Sequence, residues 1–201
     1  FGLILGAELN SYLPFLASGI IVFSLIAGLI NEGSQSMISA ESMIKQSNVP
    51  LLAHHLRVIF RNVFIFGHNI VIFPFVLLFT GNAPNFYLML FPIGLLVTIL
   101  ASSSIALSIA FMAARFRDIP PIVQAVMTVA FYVSPVIWSP ENIDDGSTAH
   151  FLLGLNPFYH LLQITRLPLI GQSPTTINWL LALAAVASFS LLSYLIYKTN
   201  K

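Results

Sequence analysis

The side chains in this sequence that could do chemistry are few, and their spacing removes most of that chemistry. The histidines are His54, His55, His68, His150 and His160. His54 and His55 are adjacent, so on a helix they point to different faces. No His-Glu-x-x-His or equivalent ligand spacing occurs, and no metal site is expected. The absence of cysteine removes thiol nucleophiles, disulfides and Cys-based metal sites. No Gly-x-Ser-x-Gly elbow is present to hold a serine nucleophile. The Lys198-Thr199 pair has no glycine loop before it, so the chain cannot cradle ATP phosphates by that device. No catalytic residue is expected, and no cofactor bound to this chain.

The elements that would position such groups are hydrophobic helices. Of 201 residues, 57% are hydrophobic and 7% charged, where soluble domains carry about 25% charged residues. Mean hydropathy is +0.90. This much apolar surface requires lipid as solvent. The eight Lys and Arg are scattered, with no basic stripe to meet nucleic acid. A helix crosses the hydrocarbon core with about 20 mostly apolar residues. Leu13–Ile30, Val58–Phe79, Phe86–Met112 and Ile177–Tyr197 qualify, and Ile122–Trp138 is a shorter fifth. Phe1–Ala7 is expected to be the tail of a truncated helix. The chain reads as one domain, 1–201. Small residues recur every fourth position at Ser102, Ala106 and Ala110, at Ser104 and Ser108, and at Ala184 and Ser188. Such faces let helices approach closely in lipid, although they are also ordinary membrane-helix composition.

Charge orients the spans. Lys45, Arg57, Arg61, Arg115, Arg117, Lys198 and Lys201 fall on one side, and only Arg166 falls on the other, with Glu8, Glu141, Asp144 and Asp145. The positive-inside rule makes the cation-rich side cytoplasmic. His68 beside Asn69 is the one ionisable mid-span exception. It is expected to bond a neighbouring helix, with a path-lining role as the alternative. The shortage of intramembrane carboxylates argues against a proton-coupled pump, so energy for uphill transport must come from another chain.

Two stretches break the simple pattern. Asn31–Val49 carries Met37, Ala40 and Ile44 on one stripe, and Glu41 precedes Lys45 by four residues, the favourable order for a helix pair. It is expected to form a short amphipathic helix, either lying on lipid or docking into a partner's groove. Phe151–Ile170 is apolar but broken by Asn156-Pro157, His160, Gln163, Arg166 and Pro168. If it spanned, the C-terminal lysines would move outside. A re-entrant pair of half-helices keeps the charge rule and places irregular backbone beside a cavity. Between spans, Arg115-Phe116-Arg117-Asp118-Ile119-Pro120-Pro121 reads as a turn in which the prolines stop the preceding helix. Its arginines anchor the inner interface, with Asp118 within reach of either one.

Five strings resemble one family. Leu13-Pro14-Phe15-Leu16-Ala17-Ser18-Gly19, Ile44-Lys45 with Pro50, Arg115-Phe116-Arg117-Asp118-Ile119, Ser134-Pro135-Val136-Ile137 and Asn156-Pro157 resemble motifs of ABC-2 type permeases. The resemblance is to exporters of lipid-linked polysaccharide, the O-antigen and lipopolysaccharide type, and it runs over essentially the whole chain. It implies an all-α integral membrane protein with six transmembrane helices, the first largely missing here. It implies a coupling helix on Asn31–Val49 and re-entrant outer helices on Phe151–Ile170. It also implies a bacterial inner-membrane permease acting as a homodimer with two ATPase subunits, which bind ATP and Mg. Gln46 departs from the pattern, since relatives often carry a second basic residue there.

On that resemblance the ATPase-coupling residues are Met37, Ala40, Glu41, Ile44, Lys45, Arg115, Arg117 and Asp118. Aromatic faces cover the apolar face of a pyranose, so Tyr132, Trp138, Phe158 and Tyr159, with Asn156, are candidates for the substrate path. The same aromatics also suit an interfacial belt. Competing classes are an ABC-2 exporter of a drug or small lipid, a secondary transporter, and a membrane enzyme acting on lipid-linked sugars. The last would need clustered intramembrane carboxylates, and the sequence has none.

Overall fold

The computed structural model describes residues 9–46, 49–140, 144 and 147–199. The expectations for Phe1–Ala7, Glu8, Glu141, Asp145 and Lys201, and for the side chains of Ile44 and Lys45, lie outside what it describes. The described residues are helical, with no strand among them. Four helices or helix pairs are long and apolar enough to cross a membrane: Asn10–Ser34, Leu51–Thr80, Phe86–Arg115 and Thr176–Lys198. They correspond to four of the five spans expected from hydropathy.

Helix α1 runs Leu9–Ser34 with Pro14 inside it. Proline has no N–H, so the Asn10 carbonyl loses its helical donor. The Asn82 side-chain amide takes that place at 2.9 Å, which matters in lipid, where backbone groups must be satisfied by protein. Helices α2 (Ser36–Ser39) and α3 (Glu41–Gln46) follow. The expected single helix over Asn31–Val49 is therefore divided. Its first residues extend α1, and the remainder makes two short pieces. Gly33, Ser34, Ser36 and Ser39 are weak helix formers, with serines that bond back to the main chain; Ser34 Oγ donates to the Asn31 carbonyl at 2.7 Å.

Helices α4 (Leu51–Ile70) and α5 (Ile72–Thr80) form one span interrupted at Val71. Pro74 explains the interruption, because its ring opposes the carbonyl four residues back, at Ile70. Gly81, at φ +71°, closes α5 with its N–H on the Leu77 carbonyl. Outward side chains on this span are large and apolar, among them Phe60, Phe64, Leu78 and Phe79, as a lipid-facing surface requires. A 3₁₀ turn, Phe86–Leu90, leads into α6 (Phe91–Arg115).

Helix α7 is Ile119–Val133, not the expected Ile122–Trp138. Prolines account for both ends. Pro120 and Pro121 sit in its first turn, where their missing N–H groups are not needed. They open α7 rather than stop α6, which has already ended at Arg115 with Phe116 extended. At the other end, Pro135 disfavours helical backbone in the residue before it, and Ser134 is extended at ψ 145°. Fifteen residues make a helix of about 22 Å, shorter than the roughly 30 Å hydrocarbon core.

The broken outer stretch forms α8 (Thr148–Gly154) and α9 (Pro157–Leu169), and α10 (Thr176–Thr199) ends the chain. Helix α6 lies centrally against α1, α9 and α10. Its small residues permit this. Ala101, Ser102, Ala106, Ala110 and Ala113 are buried, and a Cβ on Gly33 of α1 would stand 2.6 Å from the Ala106 methyl. Ser104 and Ser108 meet Ser190 and Ser193 of α10 at 2.9 and 2.7 Å. The Ala184 and Ser188 stripe does not join this packing. Both residues are exposed, and α10 turns Ala182, Ala185 and Ser193 inward.

Candidate functional site: the docking end and the outer helix pair

The candidate residues gather at two opposite ends. At the expected cytoplasmic end, Met37 and Ala40 are buried, so the apolar stripe of this segment is used within the chain. Glu41 accepts a hydrogen bond from Arg117 Nη2 at 2.7 Å, joining α3 to the turn between α6 and α7. Arg115 stacks over Phe116, 5.6 Å from the ring centroid. Asp118 precedes α7 without a side-chain cap bond, and no described ion pair joins it to either arginine. The pairing found is thus the cross-element Glu41–Arg117 one; the expected Lys45 partner lies outside the described side chains.

Behind this surface, His55 joins three elements. Its Nδ1 lies 3.2 Å from Ser36 Oγ of α2, and its Nε2 lies 3.0 Å from the Ser103 carbonyl of α6. A carbonyl only accepts, so Nε2 carries the proton; in the neutral ring Nδ1 then accepts from the Ser36 hydroxyl. His54, on the other face as adjacency requires, lines a cavity of about 410 Å³ with Glu32, Arg57 and Arg61. Glu32 there accepts from Asn62 at 2.9 Å and pairs with Arg61 at 3.6 Å. His68 departs from expectation. It is exposed, and its Nδ1 lies 2.9 Å from the Phe64 carbonyl of its own helix rather than against a neighbour.

At the other end the two outer motifs meet. Asn156 caps α9 through the Phe158 N–H at 3.0 Å and donates to Ser134 Oγ at 2.9 Å. Arg166 donates to the Pro135 carbonyl at 2.6 Å. Buried His160 spans Gly154 and Asn178, at 2.8 Å each, joining α8, α9 and α10. Close backbone approach fixes α9 on α6: a Cβ on Gly94 would collide with the Ile164 carbonyl, and Thr98 Oγ1 bonds the Leu161 carbonyl at 3.1 Å and Thr165 Oγ1 at 2.8 Å. Tyr12 of α1 donates to the Ile137 carbonyl at 2.8 Å.

The aromatic candidates are only partly assembled. Trp138 Nε1 donates to the Tyr132 carbonyl at 3.0 Å, and the Tyr132 side chain is exposed. Phe158 packs against the core, and Tyr159 stands edge-on to His160 at 5.0 Å. His55, Asn82 and Tyr12 were not singled out from sequence. Arg166 carried a signal there, as the one cation on its side. Among the described residues no three His, Asp or Glu side chains come together as a metal site would need.

Long apolar helices, a short proline-bounded span, a divided amphipathic segment at one end and a buried broken pair at the other define a multi-pass helical membrane protein. The chain belongs to the ABC-2 type transporter family, whose model matches residues 1–170. It is also similar to the O-antigen export system permease protein RfbA of Myxococcus xanthus, at 20% identity over 187 residues, covering 93% of this chain and 72% of that protein.

Proposed function

We propose that this chain is the membrane permease of an ATP-driven exporter of lipid-linked polysaccharide, of the O-antigen, lipopolysaccharide or capsule type, in a bacterial inner membrane. The observation that carries this reading is the similarity to an O-antigen export permease along 93% of the chain, which takes in both the docking segment and the outer pair. Two copies act with two ATP-binding subunits that supply ATP and Mg chemistry. The ATPases engage Glu41, Lys45, Arg115, Arg117 and Asp118 and the surface around Met37, Ala40 and Ile44.

The geometry supports a mechanical route. A push on α2 and α3 reaches α6 through Ser36, His55 and Ser103. Helix α6 in turn holds α9 through Thr98 and Gly94. Closure of the ATPases therefore moves the outer pair, and Tyr132, Trp138, Asn156, Phe158 and Tyr159 lie where the glycan emerges. Export of surface polysaccharide by cells carrying Phe158→Ala with Tyr159→Ala tests this. Impaired export with assembly intact is expected, and normal export would refute the assignment of the path.

A further inference from the structure

Arg166 is the least exposed charge among the described residues, with 1% of its surface accessible. Its guanidinium reaches only neutral acceptors, Pro135 O at 2.6 Å and Gln163 Oε1 at 2.8 Å, and lies over the Phe15 ring at 4.0 Å from the centroid. Nε has no acceptor at all, and no described carboxylate pairs with the side chain. A buried cation without a counter-charge is costly, more than a structural pin between α9 and the Ser134-Pro135 turn requires, since a neutral amide would bond the same carbonyl. Arg166 also forms part of the wall of a cavity of about 370 Å³, together with Tyr12, Phe15, Ser139, Gln163 and Gln172. Two aromatic rings, two amides, a hydroxyl and a guanidinium are the groups that hold a sugar ring bearing an oxyanion, and the volume falls in the range of small-molecule sites, about 300–1,000 Å³.

We infer that this cavity binds an acidic sugar residue, carboxylate- or phosphate-bearing, with Arg166 as its counter-charge. The inference rests on the polysaccharide-export reading and names the class of glycan. The oxyanion completes the hydrogen bonding of the guanidinium, Tyr12 and the part of Phe15 that Arg166 leaves uncovered meet the apolar sugar face, and Gln163 and Gln172 meet hydroxyls. The lining of this cavity does not include Tyr132, Trp138, Phe158 or Tyr159.

The test is saturation-transfer NMR titration of the full-length permease, purified with its ATPase subunits in neutral detergent. The probes are a galacturonate tetrasaccharide and a neutral galactose tetrasaccharide. Saturable binding of the acidic probe, at least about tenfold tighter than the neutral one, is expected from one charge-assisted contact. Arg166→Gln should remove that preference. Because this buried variant can fail to fold, Gln172→Glu at the exposed cavity edge is the second variant, expected to weaken the acidic probe by roughly fivefold. Equal binding of the two probes, full affinity in Gln172→Glu, or displacement of the acidic probe by equimolar phosphatidylglycerol would overturn the site. So would an absence of saturable binding in the wild type, the result if a carboxylate of the chain itself holds Arg166. Those results leave the export reading standing, because export of surface polysaccharide is scored separately in cells.

Discussion

Replacing His55 by Phe fills the same space and removes both of its hydrogen bonds. The bonds are 3.2 Å to Ser36 and 3.0 Å to the Ser103 carbonyl, and the ring is 3% exposed. Each bond contributes about 1 kcal/mol net, and stranding a buried partner adds about 1–3 kcal/mol. His55→Phe should therefore cost about 3–5 kcal/mol of unfolding free energy in mixed micelles. Ser36→Ala breaks only the α2 bond but strands the buried Nδ1, and should cost about 2–4 kcal/mol. The Ser36–His55 bond is lost once in either background, so the double variant should cost about 1 kcal/mol less than the sum of the singles. The functional readout is transport per ATP hydrolysed in the reconstituted transporter. A folded His55→Phe complex should hydrolyse ATP while transporting less per turnover, because α2 no longer grips α6. A His55→Phe cost no larger than that of Ser36→Ala would refute the contribution of the Ser103 bond. Unchanged transport per ATP would refute the route itself.

Two further perturbations address the two ends. Glu41→Arg should reduce the amount of ATPase that co-purifies with the permease, while the swap with Arg117→Glu should restore it. The pair is about half exposed and contributes at most about 1 kcal/mol to folding, so a loss in both variants would place the effect in charge at the docking surface rather than in the pair. Gly94→Val should push α9 off α6, costing about 1–3 kcal/mol or more, because the collision is with the Ile164 backbone and not with a yielding side chain; unchanged unfolding of this variant would contradict the close approach.

Much of the scaffold was legible because lipid makes the rules local. Four of the five spans follow from counting apolar residues. The broken pair follows from Asn156-Pro157 amid polar residues. The fifth span was misplaced because a proline has two readings. Sequence alone makes Pro120 and Pro121 a helix stop, whereas the same missing N–H groups make them the start of the next helix. Pro135 lies inside the expected span, and the helix ends two residues before it, at Val133. Serines divide the Asn31–Val49 segment, while Met37 and Ala40, two of the three stripe residues, are both buried. The periodicity of the stripe survived while the continuity of the helix did not.

What local reading could not supply is pairing across the chain. Asn82 meets the Asn10 carbonyl across 72 residues, and Asn85 donates to the Gly171 carbonyl across 86. Nothing in an asparagine's neighbours names its partner. The proline defect at Asn10 is nonetheless visible in sequence, because Pro14 must leave that carbonyl without a helical donor. A carbonyl left without its helical donor demands a polar side chain from elsewhere, and in lipid few are available. The same demand operates at Arg166, which answers the Pro135 carbonyl in a turn where the helix has ended. Backbone defects made by proline thus select the polar residues at the outer end. Helices α1 and α6 each touch both α2 and α9, so the Pro14 defect lies on an element that connects the two ends. A short span ending at Pro135 and a helix weakened at Pro14 give the outer end backbone bonds held by side chains rather than by helix. On the proposed route such bonds are exchanged as α6 shifts, whereas a continuous helix would have to unwind.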